Sequence, residues 1–397
     1  MWVKSLGKLL AMLVLAGTVV SVVNAQAVYV RKAAGEEYKN PTLFFKGVTG
    51  DQAVSNVVGN DLRLCGWFDP AKSEQEADFI VDGSCSGSTL TLNVTKMNNF
   101  RVSKQLGADR THSIHQAVDA ILKYQFKVPG ICASRIAFSV KTSRLAKNIY
   151  ISDFDGNNVK VVTHHTSLMV EPDWFPNCRS LVYTMYTTSS TEIVQTELNP
   201  YRSRILVSMP GLNAGARISP NGHYMAMILS KDKQVDLYVK PISSSAIMRL
   251  TSNRAVEASP RWSADGGQLL FVSDLTGRPD LYVISAHGGA PAKQPTIGVE
   301  AVSPAWAQDG SIAYASKQGG DYCLAIISKN KIVESGLVPK AIGDWDGISW
   351  APDSRHVICS ARRERMLYIV DTWTGKKRQF LSGRAGQMSF PSWSPLF

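Results

Sequence analysis

The chain has 397 residues, of which 44% are hydrophobic and 19% charged, a composition that excludes disordered, collagenous and coiled-coil classes. Its length accommodates two or three domains, or a small domain beside a large repeat domain. Lys and Arg number 43 against 32 acids, a formal charge of +11, but the bases are scattered, so no nucleic-acid stripe is indicated; the excess suits solubility, or attraction to an anionic envelope surface or an acidic partner.

Residues 1–25 read as a secretory leader. Lys4 and Lys8 precede a nearly apolar Leu9–Val23, and Val23-Asn24-Ala25 fits cleavage between Ala25 and Gln26. The alternative is an uncleaved anchor, although the apolar run is shorter than the roughly 20 residues that span a bilayer. No later stretch has 18 consecutive apolar residues, so no transmembrane segment is expected in the mature chain.

Residues 26–133 predict a small α/β domain. Thr42–Phe45 reads as a strand, and Ala53, Val54, Val57, Val58 and Leu62 have helical spacing with Gly66 as the stop. Phe79–Val81, Leu90–Val94 and Arg101–Gln105 read as strands, and Ile114, Ala117, Val118, Ile121 and Leu122 mark a second helix. Val128-Pro129-Gly130 reads as a linker.

From 134 onward one period organises the chain. Trp174, Trp262, Trp306, Trp350 and Trp393 close similar segments at intervals of 88, 44, 44 and 43 residues, and Ile218 stands where the doubled first gap requires another copy. Each copy continues with a turn such as Pro220-Asn221-Gly222 or Ala264-Asp265-Gly266, then two β-rich runs and a weaker third. Four short strands per 40–50 residues describe a propeller blade rather than a helical repeat. Residues 134–397 therefore predict an all-β six-bladed propeller following the α/β N-terminal domain. The first unit, beginning at Arg135–Val140, lacks an innermost strand, and the surplus run Pro391–Ser394 is expected to supply it and close the ring. The tryptophans are expected in the core between blades.

Patterns that carry chemistry are incomplete. Gly83-Ser84-Cys85-Ser86-Gly87 has the glycine spacing of a nucleophile elbow, which needs a helix after it; strand-like Ser88–Val94 follows, so a hairpin turn is expected. His112 and His115 form half a metal site with no third ligand in reach. Asp153, Asp155 and Asn157 alternate like the start of a calcium loop without its later Glu. His164-His165 reads as a solvated loop, and the sequon Asn93-Val94-Thr95 falls within a strand. Cys65, Cys85, Cys132, Cys178, Cys323 and Cys359 form no CxxC pair. A Cys65–Cys85 bridge is one expectation for an exported chain, and buried free thiols are the alternative. No catalytic residue, cofactor or metal is expected.

Asp61-Leu62-Arg63, Gly66-Trp67-Phe68, Arg135-Ile136-Ala137-Phe138, Ile151–Gly156, Gly277-Arg278-Pro279, Gly288–Pro291 and the terminal Phe390-Pro391-Ser392-Trp393-Ser394-Pro395 together resemble the TolB family of the Tol–Pal system, over nearly the whole mature chain. The resemblance implies a non-enzymatic, monomeric periplasmic protein that maintains envelope integrity during division. It implies that the propeller face around the channel binds Pal, an outer-membrane lipoprotein, through positions Leu212, Asn213, Gly215, Glu257 and Ala258. It also implies that Ala27, Val28, Tyr29, Val30, Arg31 and Lys32 engage TolA of the inner membrane, although this segment is basic where the family tends to be acidic. On the same face, Lys141, Arg144, Lys147, Lys231, Lys233, Arg278, Lys317, Arg362, Arg363 and Arg365 outnumber Asp232, Asp274, Asp321 and Glu364, a basic rim expected to steer an acidic partner. A second class stays open: an exported propeller that binds or hydrolyses a glycan or peptide at its central channel.

Overall fold

The computed structural model describes residues 38–329, 333–338, 340–381 and 386–396; the Ala25/Gln26 cleavage site and the segment Ala27–Lys32 lie outside the described residues. The small domain runs β1 (Thr42–Thr49), α1 (Gln52–Leu64), β2 (Asp69–Pro70), β3 (Phe79–Ser86), β4 (Thr89–Thr95), β5 (Phe100–Gln105) and α2 (Arg110–Phe126). Its sheet order is β2-β1-β3-β4-β5, with β1 parallel to β2 and β3, and the rest antiparallel. Helix α1 starts where the Asp51 carboxylate accepts the Ala53 and Val54 N–H groups, and it stops before Gly66, whose φ of +74° suits glycine. The Gly83–Ser86 run lies within β3, and the hairpin turn falls at Gly87-Ser88, so no elbow forms. All six cysteines are free, which removes the expected Cys65–Cys85 bridge: the Cys65 thiol is buried against the Leu62 carbonyl while Cys85 lies by Gly87 and Arg110.

The repeat region is a β-propeller. Four separate four-stranded sheets are β13–β16 (Asn213–Ile218, Tyr224–Leu229, Asp236–Pro241, Met248–Arg249), β17–β20 (Glu257–Trp262, Gln268–Ser273, Asp280–Ser285, Ala292–Lys293), β21–β24 (Ala301–Trp306, Ile312–Gln318, Asp321–Ile327, Gly336–Leu337) and β25–β28 (Trp345–Trp350, His356–Ala361, Met366–Asp371, Lys377–Phe380). An eight-stranded sheet combines β6–β8 (Arg135–Lys141, Lys147–Asp153, Lys160–Val161) and β9–β12 (Leu168–Trp174, Ser180–Tyr186, Thr191–Leu198, Tyr201–Val207) with the C-terminal β29 (Met388–Trp393). Strand β29 pairs antiparallel with β6, from Met388 opposite Val140 to Trp393 opposite Ile136. The innermost strands β9, β13, β17, β21, β25 and β29 each touch the next, and β29 touches β9 in turn.

The repeated tryptophans explain part of the cohesion. Trp174 donates its indole N–H to the Ser392 carbonyl, Trp262 to Arg217 and Trp350 to Ala305, each on the preceding innermost strand. Trp393 donates to Ser134 Oγ, whereas Trp306 turns back to Gly310 in its own hairpin. Trp174, Trp262 and Trp350 thus add a hydrogen bond between blades to their apolar packing.

The small domain packs on the turns that join first to second and third to fourth strands. Its core (Trp67, Phe68, Phe79, Phe126) is continuous with Phe138, Phe154, Trp373, Phe380 and Trp393 of the propeller. A seam this apolar holds the two units in one arrangement.

Candidate functional site

The face of the propeller away from the small domain carries the loops between second and third strands and those entering each innermost strand. Leu212 N–H, before β13, donates to Ser230 Oγ of such a neighbouring loop. Asn213 is fully buried: its amide donates to the carbonyls of Thr191, Met209 and Gly211, and its Oδ1 accepts the Met209 N–H. Glu257 is buried too, accepts from Asn253, and has its pKa raised by that burial. Leu212 and Ala258 are half-buried. Gly215, at φ +65°, donates its N–H to Glu171 Oε2 at 3.1 Å. Of the five positions, Leu212 and Ala258 offer surface, Asn213 and Glu257 hold their loops in shape, and Gly215 belongs to the inner strand.

The structure adds a cleft that sequence spacing does not reveal. Lys141, Arg144, Lys147, Arg362 and Arg365 line a cavity of about 430 Å³ with Ser389, Phe390 and Asp346. Closure of the ring by β29 brings residues near 141 and near 362 together from more than 200 positions apart. Lys147 donates to Ser389 Oγ and lies over the Phe390 ring. Burial first, then Lys141 and Arg365, lower its pKa. Among the described residues none of these five cations forms an ion pair, and the single acid, Asp346, is occupied by Ser303 and the Gly347 N–H. Arg363, by contrast, pairs with Asp321. The arrangement attracts anions.

Along the channel the charged groups are bound within the fold. Asp173 accepts the Ile218 N–H, Arg217 donates to the Glu171 carbonyl, and Arg261 donates to those of Pro304 and Ile348. Burial raises the Asp173 pKa.

At the domain seam, Arg355 is fully buried with its guanidinium against the rings of Tyr38, Trp67 and Trp373, each centroid within 4.6–5.0 Å. It donates to both Asp371 carboxylate oxygens and to Asn40 of the small domain. Burial works against the Asp371 charge, but Arg355 outweighs it and holds the Asp371 pKa far below the usual carboxylate range. Trp67 donates to Asp353, which also binds His356.

A second polar cluster lies beside it. His115 Nδ1 is 2.7 Å from Asp61 Oδ2, and its Nε2 is 3.9 Å from Asp153 Oδ2 of the propeller. Burial pushes Asp61 up to about 7; burial opposes charge on His115, yet Asp153 and Asp61 hold it up at about 10. Asp61, His115 and Asp155 each offer one ligand atom within 4.8 Å of the others. His112 turns to Gln116 instead and does not join His115 in a shared site.

Comparison with known proteins gives a consistent picture. The family model described as the TolB beta propeller domain matches residues 127–397. A relative from Anaeromyxobacter dehalogenans (strain 2CP-C), the "Tol-Pal system protein TolB", is 30% identical over 156 residues, which cover 39% of this chain and 36% of that protein. The aligned region is thus about a third of the relative's length. The crystal structure of TolB from Acinetobacter baumannii superposes with a TM-score of 0.81 at 21% identity, covering 90% of this chain and 98% of that one. A putative TolB from Agrobacterium tumefaciens gives 0.51 at 14% identity, covering 64% and 91%.

Proposed function

Because the chain belongs to the TolB β-propeller family, we propose that it serves, without catalysis of its own, as a periplasmic component of the Tol–Pal system. In this reading the leader 1–25 is removed, 26–133 form the small domain, and 134–397 form a propeller of six blades. That count treats the eight-stranded sheet as two blades, β9–β12 and β29 with β6–β8. The face away from the small domain receives a Pal-like lipoprotein, with Leu212 and Ala258 at the contact and Asn213, Gly215 and Glu257 shaping it. The segment Ala27–Lys32 engages a TolA-like inner-membrane protein, so that the molecule links the two membranes.

The observation that carries the partner face is the cleft of five cations that pair with no carboxylate among the described residues, on the side the small domain leaves open. A basic surface of this kind raises association rates with an acidic partner and weakens with salt. The test is capture of lipoproteins from solubilised envelope by the mature chain, followed by binding kinetics with the recovered partner. Gly215→Arg should remove binding, and Arg362→Glu with Arg365→Glu should slow association at low salt while leaving dissociation nearly unchanged. Failure to recover a lipoprotein overturns the reading. Wild-type binding by Gly215→Arg moves the contact elsewhere.

A further inference from the structure

Two patterns that are each incomplete in the sequence, His115 on α2 and Asp155 in the Asp-Gly turn after β7, meet in the fold beside Asp61 of α1. We propose that Asp61, His115 and Asp155 form a divalent-cation site that pins the small domain to the propeller.

The donor set is one imidazole with carboxylates, which suits a first-row transition ion such as Zn²⁺ or Mn²⁺; Ca²⁺ prefers six to eight oxygens. Ligand atoms around a tetrahedral ion bound at 2.0–2.2 Å stand about 3.3–3.6 Å apart, so the three groups, which lie within 4.8 Å of one another, would draw together on binding.

The second observation is independent of the clustering. Asp61 Oδ1 and His115 Nε2 are buried and make no hydrogen bond, and their residues are 0% and 1% exposed. A buried polar atom without a partner is costly, and a bound ion would supply one.

The site also has an entry. Asp153, whose Oδ2 lies near His115 Nε2, lines a polar cavity of about 460 Å³ between the domains together with Asp109, Arg110 and Arg135. Water from that cavity can complete the coordination, and Asp153 stands ready as a third carboxylate.

Charge balance is compatible with an ion. Asp61, Asp153 and Asp155, with Asp119 nearby, face the cations Arg135 and Arg378. Two ligands come from the small domain and one from the propeller, so binding energy is coupled to docking of the domains.

The test uses the mature full chain, stripped of metal by chelation. Calorimetric titration with Zn²⁺ should show one ion per chain, and the melting temperature should rise with Zn²⁺ concentration. Asp155→Asn, in a partly exposed turn, should weaken binding by more than the roughly 10–100-fold that loss of an outer-shell partner costs. The pair His164→Ala with His165→Ala should bind like wild type. Co²⁺ substitution gives a reading on the wild-type chain alone: its spectrum should show nitrogen and oxygen ligation without a thiolate charge-transfer band. Zn²⁺ should also slow proteolysis at the linker 127–130. Absence of binding, equal binding by Asp155→Asn, or a thiolate band from the nearby Cys65 or Cys132 would each overturn the proposal.

Discussion

Arg355 concentrates the coupling between the two domains in one side chain, and a double-mutant cycle with Asp371 measures it. Arg355→Met keeps the volume between Tyr38, Trp67 and Trp373 but leaves the Asp371 carboxylate buried without its cation. Breaking a buried pair from one side costs about 3–5 kcal/mol. The lost bond to Asn40, at 2.6 Å, falls on the domain seam itself. Asp371→Asn removes the charge and keeps one acceptor, for the Trp373 N–H, while its amide NH2 replaces the oxygen that accepts the Thr374 hydroxyl. The two single changes should each destabilise, and the double variant should fall short of their sum by at least about 2 kcal/mol. Urea unfolding followed by tryptophan fluorescence suits the experiment, because Trp67 and Trp373 flank the guanidinium. The sign of the pH dependence also follows. The Asp371 pKa is depressed in the folded chain, so its contribution is present above the unfolded value of about 3.9 and is lost as pH falls below it toward the folded value. Asp371→Asn should therefore flatten the acid limb of the stability curve. Additive single effects, within about 0.5 kcal/mol, or an unchanged acid limb would refute the reasoning.

Trp393→Ala should cost about 3–5 kcal/mol, since the residue is buried and bonded to Ser134, whereas Trp306→Ala, half-buried and bonded within its own hairpin, should cost clearly less; thermal melts of the two variants compare them. Gly130→Ala should destabilise by more than about 1 kcal/mol, because its Cβ would collide with the Asp119 carboxylate, which cannot yield while it accepts the Cys132 and Ala133 N–H groups; a melting temperature equal to wild type would refute this. Ser259→Gly should raise stability by about 1 kcal/mol, as Ser259 holds φ +51°, and denaturant titration would show it.

What the sequence made legible was periodic. The 44-residue interval located the innermost strands, and helical spacing located both helices, because each reflects which side chains must avoid water. The long hairpin of β11 and β12 escaped, since Thr191–Leu198 and Tyr201–Val207 are more polar than their counterparts in the other blades. The two-residue β2 escaped because Asp69-Pro70 carries no strand pattern and is held by its parallel partner β1. Sites were harder than strands. Leu212 and Ala258 have loop surface, but nothing in the sequence indicates that Asn213 spends all its amide hydrogens on loop carbonyls. Likewise the cluster of Asp61, His115 and Asp155 depends on how two domains dock, and no spacing along one chain encodes that.

The innermost strands carry a further regularity in backbone rather than side chain. Glu171, Gly215, Ser259, Ser303, Gly347 and Phe390 all have φ between +51° and +65°, at 44- or 43-residue intervals, and each sits at a shift of register against the second strand. Such a bulge favours glycine, and any other residue there costs about 1–2 kcal/mol. Only two of these positions hold glycine, so the other side chains must offset that cost or serve contact with a partner. Two act within the fold: Glu171 Oε2 accepts the Gly215 N–H, and Ser303 binds Asp346. Phe390 instead lies over Lys147 in the cationic cleft, and Ser259 is half-buried beside Ala258. The two strained residues without a bond of that kind are therefore on the open face, one in the cleft and one beside the Ala258 surface, which is where contact with a partner would make their side chains worth the strain.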